Sequence, residues 1–225
     1  MKKKNILTAA VSLSLVACLS IGATLAYFTD QTSTAENVFT TGKVDIELID
    51  KLPDDYNPDD HTWKAVDNGD NTGISYTEVL PGDYLQKIVG FSTTEDSNDC
   101  YVAIRVKTEV TNLPHATEEI TAEVATNQLS ELIREQVEES AGSVWIAEPS
   151  EEENGVVTYF FRTAVPADTE NVVLFEGIQI PGEEWGNAYA EMGFNVKVQA
   201  AAIQADNTTL ETLMGMNWDE LTALE

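Results

Sequence analysis

Along residues 100–110 the side chains alternate in character. Val102, Ile104, Val106 and Val110 fall on one side, and Tyr101, Arg105, Lys107 and Glu109 on the other. A period of two marks a half-buried β-strand, and its apolar face needs a second layer to cover it. The same alternation returns near the C-terminus, where Phe194, Val196, Val198, Ala200 and Ala202 oppose Asn195, Lys197 and Gln199. Val44, Ile46 and Leu48 against Lys43, Asp45 and Glu47 give a third such strand. Arg105 and Lys107 are scarce cations in an acidic chain, and are expected to pair with carboxylates of neighbouring strands.

Between these segments the chain reads as further strands. Residues 74–80 and 84–91 flank Pro81, Gly82 and Asp83, where proline presets φ and glycine permits a positive one. Trp145, residues 156–162 and residues 172–180 also have strand character. Residues 51–73 are dense in Pro, Asp, Asn and Gly and are expected to form loop and turn. One stretch changes period: Leu129, Leu132, Ile133 and Val137 recur at helical spacing, with Gly142 as a stop, predicting a helix over about residues 127–140. A short closing helix is expected within residues 208–218. About eight to ten strands, one helical insertion and no βαβ alternation predict a mainly β protein. The expected architecture is an antiparallel jelly-roll-like β-sandwich, a single domain over residues 27–225 with insertions near 50–73 and 114–150.

Residues 1–26 are of a different kind. Lys2, Lys3 and Lys4 precede an uncharged apolar run, and Thr24 and Ala26 are small residues at −3 and −1 of a cut before Tyr27. This is a secretory signal pattern. Two rivals stand beside it: an uncleaved anchor, since the run is long enough to span a bilayer, and a lipid anchor at Cys18 after Leu15, Val16 and Ala17. The formal net charge of −27 becomes −30 once the three lysines leave with the signal segment, which contains no acid. Such a chain is repelled by nucleic acid and by anionic membrane surfaces. Removal of Cys18 leaves Cys100 alone, so no intrachain disulfide can brace the mature domain. Cys100 is expected to be a small buried residue.

The head of the mature chain, Ala26, Tyr27, Phe28, Thr29 and Asp30, followed by Asn37, Val38, Phe39, Thr40, Thr41, Gly42, Lys43, Val44, Asp45 and Ile46, resembles that of the TasA/camelysin family. Weaker likeness continues through residues 80–83, 101–106 and 202–206. These family members are secreted Gram-positive proteins whose export segments are cut by a SipW-type signal peptidase. The resemblance implies a jelly-roll fold and, in the best-known members, extracellular biofilm-matrix fibres. Residues 50–74 and 114–150 depart from the family pattern.

Some members have been labelled metalloproteases, but the chain has no HExxH, and its histidines, His61 and His115, lie far apart in sequence. His115 with Glu118 and Glu119 lacks a second histidine. No G-x-S-x-G, P-loop or GxGxxG occurs. A calcium loop over Asn68, Asp70, Thr72 and Gly73 has Val79 where the bidentate glutamate belongs. No catalytic residue, metal or cofactor is therefore expected. The expected function is a secreted structural protein of the cell surface or biofilm matrix. Tyr27, Phe28, Thr29 and Asp30 would serve as an assembly strand, pairing with further copies of the chain or with other matrix proteins. The alternative is a monomeric binding or fibre-accessory module for a cell-wall polymer or matrix, with Tyr56, Trp63 and Trp185 as loop aromatics. A secreted hydrolase is the third class.

Overall fold

A computed structural model describes residues 38–41, 43–68 and 73–222. The expected signal segment, the expected cut at Thr24, Ala26 and Tyr27, and the segment from Tyr27 to Asp30 lie outside the described residues. So do Asp70 and Thr72 of the calcium-loop motif.

The strands are β1 (Val38–Thr41), β2 (Ile46–Lys51), β3 (Lys64–Asp67), β4 (Ile74–Val79), β5 (Tyr84–Thr93), β6 (Cys100–Asn112), β7 (Trp145–Pro149), β8 (Val156–Phe161), β9 (Val172–Gln179) and β10 (Met192–Gln204). They form two sheets. The larger runs β3-β4-β10-β6-β8-β7, with β1 also on β10, and the smaller runs β2-β5-β9. Every pairing is antiparallel except that of β1 with β10, which is parallel.

The alternation fixes which side of each long strand is buried. Val102, Ile104 and Val106 of β6 join Phe194, Val196 and Val198 of β10, and Leu85, Val89 and Phe91 of β5, in one core. Arg105 and Lys107 look outward and both bond the carboxylate of Glu153, in the β7–β8 connection. The expected pairing is thus met from a loop rather than from a strand. Cys100 is fully buried.

The helix α1 (Ala122–Ala141) begins earlier than its apolar spacing alone predicts. Thr121 explains the start: its hydroxyl accepts from Val124 N at 3.3 Å, capping the first turn. Its apolar stripe of Ala125, Leu129, Ile133 and Val137 enters the main core against β6, β7, β8 and β9. The helix therefore covers part of the larger sheet that the short second sheet leaves open.

The described part of residues 51–73 holds more regular structure than its composition indicates. It contains a 3-10 turn at Pro58–Asp60 and strand β3, which pairs with β4. Trp63 anchors them: it is 2% exposed and lies against Tyr76, itself against Phe194. The closing helix expected within residues 208–218 is the shorter α2 (Leu210–Met214), and a second helix not expected there, α3 (Trp218–Thr222), follows it. Gly215 ends the first. Asn217 and Glu220 then bond each other's backbone N–H groups at 2.8 and 3.0 Å, a reciprocal cap that starts the second. Leu213 and Leu221 cover Ala103, Phe160, Ala201 and Ile203 on the outer face of the larger sheet.

Candidate assembly edge

Two strands share one edge of β10. β4 pairs with its first part, the last partners being Ile74 and Val196. β1 pairs with its second part, from Val38 opposite Ala200 to Thr41 opposite Ile203. Only Lys197, Val198 and Gln199 lie between them. Because β1 is parallel to β10, residues preceding Val38 in that register would run toward Val196, where β4 is already seated. Gly73 seals the junction. Its φ is +73°, and a Cβ there would lie 2.3 Å from the Val196 carbonyl oxygen, so the backbones touch where only glycine fits.

The smaller sheet has two outer edges of different kinds. On β9, side chains occupy the backbone groups that a further strand would use. Gln136 of α1 donates from Nε2 to Gln179 O at 2.7 Å and accepts from Gln179 N at 3.0 Å. Trp145 Nε1 donates to Val173 O at 3.2 Å. On β2, no strand pairs with the edge opposite β5 among the described residues. An unpaired edge offers a row of backbone donors and acceptors to any extended segment that reaches it.

A family model described as camelysin metallo-endopeptidase matches residues 1–158. The chain belongs to the camelysin family. No curated protein and no solved structure matches it. The camelysin description implies a metal, so the donors must be weighed. The His61 ring stacks with Trp63, centroids 4.3 Å apart, and with Tyr56 at 5.8 Å. His115 Nε2 stands 3.9 Å from Glu191 Oε2, with both side chains more than half exposed. Among the described residues no three His, Cys, Asp or Glu side chains converge as metal donors. The described residues do not fit the implied metal. Cys100 is fully buried, and burial with the neighbouring Asp99 charge pushes its thiol up to about 12, which disfavours the reactive thiolate.

The aromatic loop residues serve the core. Trp63 is buried, Tyr56 receives the Ala65 N–H on its hydroxyl at 2.9 Å, and Trp185 packs on Tyr189 at 4.5 Å. The shared β10 edge is not legible in the sequence, because it is a matter of register between strands distant in the chain. Gly73 before the apolar run of β4 is the one local trace of it.

Proposed function

We propose that the chain is a secreted structural protein of the cell surface or biofilm matrix of a Gram-positive bacterium, assembling head to tail by strand addition. The occupied β10 edge supports this reading above all. With β4 seated at Val196, a continuation of β1 upstream in the same register would meet β4 rather than a free stretch of β10. The β2 edge opposite β5 is unpaired among the described residues, and the proposal seats Tyr27, Phe28, Thr29 and Asp30 of one copy on that edge of the next.

Export places this segment in play. A SipW-type signal peptidase cutting after Ala26, with Thr24 at −3, frees Tyr27 as a terminus; before the cut the same segment is tethered to the membrane. Added to the edge of the next copy, the segment gains backbone hydrogen bonds, with Tyr27 and Phe28 supplying apolar contacts. A contact of this kind joins different surfaces on the two copies and need not close, so it propagates as a filament. The camelysin description carries an endopeptidase activity, but the described residues give it no donor set, and the proposed role is structural. Casein degradation by the purified chain with added zinc, abolished by His61→Ala or His115→Ala, would reverse that part.

Deletion of residues 27–33 tests assembly. The expected product has the circular dichroism and melting transition of the intact domain but forms no filaments by electron microscopy. Loss of the folded state would assign the segment to its own domain instead.

A further inference from the structure

The sandwich holds a lysine where its alternation calls for an apolar residue. Lys87 lies on β5 in register with Leu85, Val89 and Phe91, and its side chain is 0% exposed. Its amine directly contacts Asp50 Oδ1, on the adjacent strand β2, whose side chain is 14% exposed. Asp50 is in turn in register with Ile46 and Leu48. Tyr76 of β4, 1% exposed, donates its hydroxyl to Gln86 O at 2.9 Å and feels the Asp50 charge. The Asp67 carboxylate on β3 acts electrostatically on both Lys87 and Asp50.

Burial holds the Lys87 amine below its ordinary range, against the opposing pull of Asp50. It also raises the Asp50 carboxyl above its ordinary range, against the pull of Lys87. Desolvation thus favours a neutral amine beside a neutral acid. A buried ion pair is a poor way to fill such a site, because two desolvated charges recover little of their hydration. A neutral amide between the same two side chains, Lys87 Nζ bonded to Asp50 Cγ, removes both charges.

We propose that Lys87 and Asp50 form an intramolecular isopeptide bond, covalently joining β5 to β2. The Lys87 nitrogen lone pair attacks Asp50 Cγ and the N–C bond forms. The Asp50 C–O bond to its hydroxyl breaks, one amine proton passes to that oxygen, and water leaves. Nothing is oxidised or reduced and no co-reactant is consumed. Fixed proximity supplies the driving geometry, since groups held in contact react as if at effective concentrations on the order of 10⁵ M or more. The bond would give the mature domain a covalent brace that its lone thiol cannot.

Intact mass spectrometry of the purified chain, its N-terminus established, reads the bond directly. The expected mass is one water below that of the sequence. Trypsin cutting at Lys43, Lys51, Lys64 and Arg105 but blocked at Lys87 should yield residues 44–51 joined to residues 65–105. Lys87→Met should restore the full sequence mass and release residues 44–51 as a free peptide. A folded wild-type chain at its full sequence mass, with residues 44–51 and 65–87 recovered separately, overturns the proposal and leaves a buried ion pair. The wild-type reading decides the question even if the variant fails to fold.

Discussion

Gly82 sits at φ +96° in the connection between β4 and β5, where only glycine is unstrained. The nearest atom to an added Cβ is Gly182 Cα at 4.0 Å, so a side chain there meets open space and its penalty is conformational. Gly82→Val should lower stability by about 1–3 kcal/mol, the usual strain of a sparsely populated backbone state. An unchanged melting temperature would contradict the turn geometry. Glu153 makes a pH-dependent contribution. Its bonds to Lys107 and the nearby charge of Arg105 hold its carboxyl below the ordinary range. A depressed folded pKa adds stability at pH values above the unfolded one, and that stability is lost as pH falls through the folded value. Glu153→Gln should therefore melt below wild type at neutral pH, and the two should converge in acid. Because Glu153 is nearly half exposed, the difference should stay within about 1 kcal/mol. At this scale the chain was readable wherever pattern and chemistry agreed, as for Val102, Ile104 and Val106. Lys87 and Asp50 set the two at odds: their charge argues for solvent, while their register with Leu85 and Ile46 argues for the core. Register wins, because a strand cannot turn one side chain over without turning its neighbours.

Among the elements, α1 does two jobs. Its apolar stripe fills the core, and its Gln136 amide occupies the Gln179 N–H and carbonyl groups as a further strand would. Gln136→Ala should cost about 0.5–1.5 kcal/mol, the net worth of such hydrogen bonding. It should also open the β9 edge and raise light scattering of the folded variant at equal concentration. A variant that melts lower but scatters no more would show that Trp145 guards that edge alone. The long strands and the helix were legible because each carries its own period over many residues. β3 was not, because its four residues sit among turn-forming neighbours and owe their order to pairing with β4 and to buried Trp63. The turn chemistry of residues 81–83 was equally plain, yet β4 and β5 belong to different sheets. Local dihedral preference says that a chain reverses, and nothing about which sheet receives it.

For the whole molecule, charge sets the terms of association. The chain carries a formal net charge of −27, and a subunit cut before Tyr27 as proposed would lose three lysines and reach −30, so its copies would repel one another. The proposed strand addition would have to overcome this with backbone hydrogen bonds and the apolar contacts of Tyr27 and Phe28. Screening shortens the reach of the repulsion, from about 30 Å at 0.01 M ionic strength to about 10 Å at 0.1 M. Filament growth followed by light scattering and electron microscopy should therefore quicken as sodium chloride rises through this range. Lowering the pH toward the carboxylate range should act in the same direction by removing charge outright. Calcium and magnesium at equal ionic strength should act alike if screening is the mechanism, since no described cluster favours either ion. Growth with calcium but not with magnesium would instead require a specific site. Faster growth at low salt than at high would mean that opposite charges draw the subunits together, which a chain so uniformly acidic gives no means to do over long range.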